Sequence, residues 1–482
     1  MREMIKKYEL EPTFENVAET LLNDTLKRNN YLYKFYDLLK CINSSCSICL
    51  DGAWGSGKTF FVKQAQLLLL SENPLLEIGK LDIDITEEEK NKLKEIQEAK
   101  LKKIKDIKNI QYPIYYDAWD NDNVEDPILS LIYSITKSLH SKNYFTINPN
   151  IWEKIKDFVK SISKSVTVQY TKNSILLDKN ECFSVCLNGD KFIESLENNK
   201  KIDLLGDLKK QDELRIHINN FFDVLLPERG DRLVVFIDEL DRCKPTFAIM
   251  LLERIKHYFN QQNVTFVFST NIKELNKTIC SYYGQGFSAD RYLDRFFNLK
   301  LQLPKVDTKT YFAYLEVFNN FGYSEAILRE VVLHTNLELR EISRFISLYY
   351  LARNSYLGIS FAQKTENDAM DFCIDFILPL MIAIKMTDSH LYETFMLGNE
   401  TEFFENFMRG NVSNIFWRKY SFYPRDGVSL DEIPGAIYNW LFEVGIPDYL
   451  RQAIEPTLSF SSNHKSFLEE AISLLSDTSI YE

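Results

Sequence analysis

The sequence predicts an α/β fold, in which a parallel sheet is flanked by helices and followed by an α-helical C-terminal part. Five short β-rich segments alternate with helical stretches before residue 310, and several of them are continuous apolar strings. Strand signals fade after Pro304. Because helices between strands serve as crossovers, the sheet is expected to be parallel and covered on both faces.

The five predicted strands are separated by helices and by two long inserts. The strands are Ser47–Asp51, Tyr112–Asp117, Leu233–Asp238, Val264–Thr270 and Asn298–Leu303. The inserts lie at about 72–110 and 151–230. In the first insert, Thr86 and Glu89 form a predicted capping box for a helix with one apolar side, made of Leu93, Ile96, Leu101 and Ile104. The second insert is polar and is predicted to be mostly helical, with an irregular middle around Val166–Asp190.

Three parts are expected along the chain. Residues 1–305 form the α/β core with its inserts, residues 306–355 form a helical lid-like or sensor-like region, and residues 356–482 form a helical C-terminal domain. Only 16 glycines and 13 prolines occur among the 482 residues, which favours a chain rich in helix. The helical parts are therefore expected to be large.

Charge and hydropathy exclude several classes of protein. With 57 Lys and Arg against 69 Asp and Glu, the net charge is −12, so the chain as a whole is not attracted to nucleic acid or anionic lipid. The longest apolar run, Phe376–Ile384, contains Pro379 and is far shorter than the roughly 20 residues that a bilayer span needs. The amino-terminal stretch is charged and unlike a secretory signal. We expect a cytoplasmic chain without a membrane span.

The segment Gly52–Thr59 carries the strongest chemical signal, because it matches the pattern G-x-x-x-x-G-K-[ST] in full. Glycines let backbone N–H groups surround a phosphate, and the helix that opens at Phe60 adds the positive end of its dipole. Lys58 is long enough to reach the β- and γ-phosphates, and the Thr59 hydroxyl is an oxygen ligand suited to Mg²⁺. The predicted nucleotide contacts are Gly52, Ala53, Trp54, Gly55, Ser56, Gly57, Lys58, Thr59 and Phe60.

Two adjacent acids end the apolar segment Leu233–Ile237. Asp238 is predicted to hold Mg²⁺ together with Thr59. Glu239 is predicted to polarise a water molecule for attack on the γ-phosphate. An acid pair at the end of a buried strand favours a nearby cation, since an unpaired buried charge is costly.

Polar and basic residues beyond the acid pair are further candidates for the same site. Asn271, at the end of the next strand, is predicted to orient the attacking water, with Ser269 and Thr270 as alternatives. Charge that develops on the γ-phosphate calls for a guanidinium. The candidate arginines are Arg291, Arg295, Arg340 and Arg344, and each can equally form a surface ion pair.

These motifs together resemble the KAP family of P-loop NTPases over roughly residues 15–350. The P-loop has the Trp-Gly-Ser-Gly-Lys form, and Tyr115–Asp120 resembles the family's aromatic-Asn-Ala-Trp box, with Asp117 in place of Asn. The segment Phe236–Cys243 is similar to the Asp-acidic-Leu-Asp-Arg-Cys signature, and Asn336–Arg344 resembles the Asn-Pro-Arg-x-x-x-Arg region without its proline.

The resemblance implies an additional-strand (ASCE-type) core, in which the strand with the acid pair is not adjacent to the P-loop strand. It implies an ATPase that uses ATP and Mg²⁺ and couples the nucleotide state to assembly or to control of a partner. A homo-oligomer, or a protein partner bound through the C-terminal helical domain, is expected. Because some members of the family take part in exclusion of phages, bacterial anti-phage defence is the expected setting.

Two alternatives remain open from the sequence. In the first, the chain is a nucleotide-gated scaffold, in which binding rather than turnover orders the inserts for a partner. In the second, nucleic acid stimulates a motor. This alternative rests on a lysine cluster that otherwise reads as a solvated helix face. The cluster comprises Lys100, Lys102, Lys103, Lys105 and Lys108.

Overall fold

The structure is a computed structural model. It describes residues 11–73, 87–101, 109–124, 126–140, 149–166, 204–259, 263–306, 311–312, 315, 322–360, 368–420 and 428–476.

Five parallel strands form one sheet. They are β1 (Cys46–Asp51), β2 (Gln111–Asp117), β3 (Arg232–Asp238), β4 (Val264–Thr270) and β5 (Leu299–Gln302). Their order across the sheet is β2-β3-β4-β1-β5, and every neighbouring pair is parallel. The five predicted strands are confirmed to within one residue at each end. The additional-strand order is confirmed as well, because β4 separates β1 from β3.

The strand register brings the chemically important residues to one edge of the sheet. Asp51 at the end of β1 pairs with Thr270, and Asp238 at the end of β3 pairs with both Ser269 and Asp117 on its two neighbours. Every residue of β3 and β4 is buried, as continuous apolar strings predict. The carboxyl ends of four strands therefore meet at the edge where open α/β sheets bind ligands.

Helices cover the sheet on both sides, and their buried side chains join those of the sheet in a first core that extends from Val17 to Leu303. The helices are α1 (Phe14–Leu22), α2 (Asn29–Cys41), α3 (Lys58–Glu72), α4 (Glu87–Leu101), α5 (Pro127–His140), α6 (Pro149–Val166), α7 (Leu204–Arg229), α8 (Pro245–Tyr258), α9 (Ile272–Tyr283) and α10 (Ala289–Leu293).

Both inserts contain the predicted helices. In the first, Leu93 and Ile96 of α4 are buried in the core, which confirms the apolar side of that helix. Thr86 and Ile104, and the lysine cluster beyond Lys100, lie outside the described residues. In the second insert, α6 packs against α7, and the segment 167–203 lies outside the described residues.

The described residues after β5 are mainly helical, as predicted. The α-helices are α11 (Tyr323–Thr335), α12 (Leu339–Ser360), α13 (Asp368–Phe372), α14 (Leu378–Thr387), α15 (Ser389–Met396), α16 (Thr401–Phe407), α17 (Asn411–Tyr420), α18 (Ile433–Leu441), α19 (Asp448–Ile454) and α20 (Ser462–Ser476). One π-helical turn, Cys373–Ile377, joins α13 to α14. Across the described ranges, no helix is both long and apolar enough to cross a membrane.

A second core holds these helices together. Its buried residues run from Tyr311 to Ile472 and include Leu26 from the amino-terminal segment. Helix α12 and the helices after residue 368 share this core. The expected divisions after residues 305 and 355 stay predictions.

An ion pair lies within the helical part. Asp375, in the π-helical turn, is 8% exposed and pairs with Lys419 of α17 at 2.5 Å. Asp375 also accepts a hydrogen bond of 2.8 Å from the Ser324 hydroxyl of α11. The carboxylate therefore links three helices, and Lys419 balances its charge.

Removing the lysine is expected to destabilise the helical part. Lys419→Met keeps the length of the side chain but leaves a buried carboxylate unpaired, which costs roughly 3–5 kcal/mol. Chemical denaturation of the full chain measures this loss in the free energy of unfolding. Lys465→Met is the matched control, because its partner Glu443 is 56% exposed at 3.8 Å, and a change below about 1 kcal/mol is expected there. Equal losses in the two variants would contradict the structural role of Asp375.

Candidate functional site

The P-loop has the backbone that an anion-binding loop requires. It connects β1 to α3, and Gly55 and Gly57 have left-handed φ values of 77° and 84°. A methyl group added at Gly55 would lie 3.2 Å from Cβ of Arg340, and one at Gly57 would lie 3.2 Å from Nη1 of Arg28. Glycine is thus needed for both the conformation and the space. The loop fits a phosphate, with the N-terminus of α3 at its end.

Lys58 turns back onto the P-loop in this structure. Its Nζ donates to the carbonyl oxygens of Gly52 and Ala53 at 2.8 and 3.1 Å. Burial lowers the pKa of Lys58, while the nearby carboxylates of Asp241 and Asp238 oppose the fall. The ammonium group therefore lies at the loop beside the acids, and its contact with phosphates stays a prediction.

Thr59 and Asp238 meet across the sheet edge. The Thr59 hydroxyl donates to Oδ2 of Asp238 at 2.7 Å, and the Tyr115 hydroxyl donates to the same oxygen at 3.1 Å. Asp238 is buried. A hydroxyl and a carboxylate are the hard oxygen donors that Mg²⁺ prefers, so this pair fits the ion that a P-loop nucleotide brings. The two predicted metal ligands are together.

Glu239 follows Asp238 in a left-handed conformation, with φ of 60°. Its Oε2 pairs with Nε of Arg242 at 2.5 Å across the 3₁₀ turn Leu240–Arg242. Burial raises the pKa of Glu239 to about 7. The Arg242 charge opposes this rise, and the charge of Asp238 adds to it. A carboxylate with this pKa is suited to accept a proton near neutral pH.

The raised pKa predicts an acidic limb in the pH profile. A general base must be ionised, so kcat/KM for ATP is expected to fall about tenfold for each pH unit below about 7, the Glu239 pKa in the free protein. Steady-state phosphate release between pH 5.5 and 8.5 measures this profile. The affinity for a non-hydrolysable ATP analogue over the same range is the control for binding. A profile that stays flat after correction for binding would contradict the role of Glu239.

A hydrogen-bonded bridge joins the P-loop to the end of β4. Buried Asp241 accepts from the Trp54 indole N–H through Oδ2 and from the Thr270 hydroxyl through Oδ1, the latter at 2.9 Å. Asn271 instead caps α9, with its side-chain oxygen accepting the Lys273 N–H at 3.1 Å. The role of Asn271 in orienting water stays a prediction, and Thr270 is the strand-end residue that the structure connects to the loop.

A pocket of about 360 Å³ lies beside the P-loop and the end of β3. Its walls include Lys58, Thr59 and Glu239, together with Arg340 at the start of α12. Arg340 is thus the predicted arginine that reaches the pocket within one chain. Within the part of the chain that the structure describes, the lining of this pocket does not include Asn271, Arg291, Arg295 or Arg344, and all three of these arginines are exposed. Their catalytic roles stay predictions.

The sequence analysis assigned no role to two arginines at the site, Arg242 and Arg28. Arg242 lines the pocket, and its guanidinium carbon lies 5.4 Å from the ring centroid of Trp119. Arg28 is buried behind the P-loop, where Nη1 donates to the Ser56 carbonyl at 2.7 Å and Nη2 donates to the Pro304 carbonyl. Burial lowers the pKa of Arg28 to about 10, and the charge of Glu338 opposes the fall.

The signals available for these two residues differ. Arg242 follows Glu239 by three residues, the spacing that brings side chains together in a 3₁₀ turn. For Arg28 no local pattern points to the P-loop, which lies 28 residues further along the chain.

The aromatic box at the end of β2 lines the same pocket. Asp117 accepts the backbone N–H groups of Trp119 and Asp120 at 3.0 and 3.1 Å, so its carboxylate closes a turn. An asparagine oxygen can accept the same bonds, which explains how Asp occupies a position where the resemblance expects Asn. Burial raises the pKa of Asp117. The turn holds Trp119 at the pocket, where half of its surface is exposed.

Comparison with known proteins agrees with the fold and the P-loop. The sequence model of the KAP family P-loop domain matches residues 28–355, which is more than half of the chain. An uncharacterized protein of Methanocaldococcus jannaschii is 28% identical over 163 residues, which cover 30% of this chain and 82% of that relative. The match to the family model shows that the chain belongs to the KAP family of P-loop NTPases, and the parallel sheet with its additional strand and the P-loop agree with it.

Proposed function

We propose that this protein hydrolyses ATP to ADP and phosphate and couples its nucleotide state to assembly or to control of a protein partner. One observation carries the proposal: the hydrogen bond of 2.7 Å between Thr59 and Asp238 joins the P-loop to the acid pair. Glu239 then lines the same pocket as Lys58. A phosphate-binding loop, two oxygen ligands and a base at one edge of the sheet are the parts that phosphoryl transfer to water requires.

Each group has a definite task in the proposed reaction. The P-loop amides and Lys58 bind the β- and γ-phosphates. Glu239 takes a proton from water as the water oxygen attacks the γ-phosphorus, and the bond from that phosphorus to the β,γ-bridging oxygen breaks, leaving ADP. Mg²⁺, which Thr59 and Asp238 would hold, supplies charge neutralisation on the phosphates. Arg340, which lines the same pocket, would offset negative charge on the phosphates.

Coupling to a partner is supported by the packing of the helical part on the P-loop. Cβ atoms of Glu338 and Arg340 lie 3.4 and 3.2 Å from the position that a Gly55 methyl group would occupy. A movement of the loop on phosphate binding would therefore displace the start of α12, and α12 belongs to the second core. We propose that the partner, or a second copy of the chain, binds the C-terminal helices. We further propose that the protein acts in the cytoplasm and in anti-phage defence.

Phosphate release by the purified full-length chain tests the proposal. We expect ATP hydrolysis that requires Mg²⁺ and that increases when the partner recovered by native copurification is added back. Asp238→Asn should remove this activity, because the amide is a poor magnesium ligand at a position where Thr59 now meets a carboxylate. Nucleotide binding without phosphate release, with and without the copurified partner, would contradict the ATPase proposal.

A nucleotide-gated scaffold is the second candidate, and one feature favours it. In this structure Arg242 engages Glu239 and loop carbonyls engage Lys58, so neither group is arranged for turnover. A scaffold needs only that ATP binding alters the loop and α12. Partner binding by a variant that binds ATP without hydrolysing it separates the two candidates.

A further inference from the structure

Arg242 is a charged group in the pocket to which the reaction described above assigns no task. Its side chain is 25% exposed, its Nε contacts Glu239, and its guanidinium lies against the Trp119 ring. Both contacts hold the side chain at the wall of the pocket that carries Glu239. The guanidinium therefore lines the same pocket as Lys58 and Glu239, the groups to which the proposed function assigns the γ-phosphate and the attacking water.

The two partners of Arg242 differ in how firmly they hold it. The Glu239 carboxylate offers one negative charge, and it competes with any anion that enters. A triphosphate brings several negative charges and three γ-oxygens, and guanidinium binds phosphate in a bidentate fashion. Trp119 offers a neutral, half-exposed face over which a guanidinium can move while keeping a favourable contact. The pairing with Glu239 is therefore the contact that a bound ATP displaces.

The turn between the two residues permits such an exchange without backbone movement. Glu239 and Arg242 are three residues apart, and the 3₁₀ turn between them places both side chains on the same side. The Arg242 N–H donates to the Glu239 carbonyl at 3.1 Å, which holds the turn closed independently of the side chains. Rotation of the Arg242 side chain alone moves its guanidinium away from the carboxylate.

We propose that Arg242 leaves Glu239 when ATP binds and contacts the γ-phosphate. One rotation then has two results: it releases the general base, and it supplies a cation that stabilises charge on the phosphoryl group in the transition state. ADP lacks the γ-phosphate and leaves the Glu239–Arg242 pair intact. The inference rests on the proposed nucleotide site and deepens it, because it makes the site responsive to the γ-phosphate within a single chain.

The test compares the affinities of a non-hydrolysable ATP analogue and of ADP, measured by calorimetry on the full chain with Mg²⁺. Arg242→Gln is expected to weaken analogue binding roughly tenfold or more, and to change ADP binding less than about twofold, because a charge-assisted contact to the γ-phosphate alone is lost. Glutamine still offers Glu239 a hydrogen-bond donor, so the turn is preserved. Lys244→Gln is the matched control, since it removes a positive charge two residues away, on a side chain that pairs with Asp122. Equal weakening of both ligands, or of neither, overturns the inference.

A second measurement uses Glu239→Gln, which frees Arg242 in advance. In this background the analogue is expected to bind more tightly than it binds the natural protein, and Arg242→Gln added to it should remove the gain. A gain that persists without Arg242 overturns the inference. Both measurements record binding and not turnover. If the protein releases no phosphate but Arg242→Gln still weakens binding of the analogue and not of ADP, the ATPase proposal fails and the contact of Arg242 with the γ-phosphate stands. If Arg242→Gln hydrolyses ATP normally, the ATPase proposal stands and this inference fails.

Discussion

Glu239→Gln is expected to lower the kcat for ATP hydrolysis by roughly 10²–10⁴-fold while nucleotide binding is retained. The amide cannot accept the proton of the attacking water, yet it has nearly the same size as the carboxylate and stays in the same pocket. Because the Glu239 carboxylate pairs with Arg242, nucleotide binding should not weaken when the charge of Glu239 is removed. Steady-state phosphate release gives kcat, and calorimetry with a non-hydrolysable analogue gives the affinity.

A surface glutamate provides the control for this variant. Glu274→Gln makes the same chemical change in α9, where Glu274 pairs with Lys277, whose side chain is exposed, and kcat should be unchanged there. A Glu239→Gln protein with normal turnover would contradict the assignment of the base. Binding of the copurified partner by Glu239→Gln distinguishes the two candidate functions. If the variant still binds the partner in an ATP-dependent way, ATP binding without hydrolysis is sufficient and the scaffold interpretation is favoured.

Lys58→Met is expected to weaken ATP binding by roughly 10²-fold. Methionine fills a similar volume but lacks the positive charge with which Lys58 would bind the phosphates. A charge-assisted hydrogen bond contributes roughly 1.5–3 kcal/mol. The variant also loses the hydrogen bonds from Lys58 to the Gly52 and Ala53 carbonyls. Because these bonds lie within the loop and do not join it to the core, the melting temperature should change little. Calorimetric titration with the ATP analogue measures the affinity, and differential scanning calorimetry measures the melting temperature.

Lys300→Met is the control for the loss of charge, because Lys300 lies in β5 and pairs with Asp294 on an exposed surface. Its effect on affinity should be less than about twofold. Unchanged ATP binding in Lys58→Met would show that Lys58 does not hold the phosphates. Loss of binding together with a large fall in melting temperature would instead indicate that the lysine is needed for the shape of the loop.

Much of the site could be predicted because its parts are local in sequence. A left-handed φ at Gly55 and Gly57 follows from a loop that must turn tightly around an anion, and the motif itself states where those glycines are. The meeting of Thr59 with Asp238 was expected from a general rule, since the carboxyl ends of parallel strands share one edge. The five strands were recognisable because strands buried on both faces are continuous apolar strings.

The arginines show where local patterns are insufficient. Arg291 and Arg295 lie between β4 and β5, and Arg340 lies after β5. Nothing in their immediate neighbours separates Arg340 from the other two. The structure separates them because α12 packs on the P-loop and carries Arg340 into the pocket. Arg242 was visible only as part of a motif, and its contact with Glu239 depends on the left-handed backbone of Glu239 and the turn that follows.

The sequence by itself determined that this chain has a parallel sheet, a phosphate-binding loop and an acid pair at one sheet edge, because each depends on residue types at short and regular spacings. Only the tertiary structure decided which cations surround the pocket, that Asp241 bridges Trp54 to Thr270, and that Arg28 supports the loop from behind. These contacts join residues that are distant along the chain. Their formation depends on how helices and strands pack, which a spacing pattern does not encode.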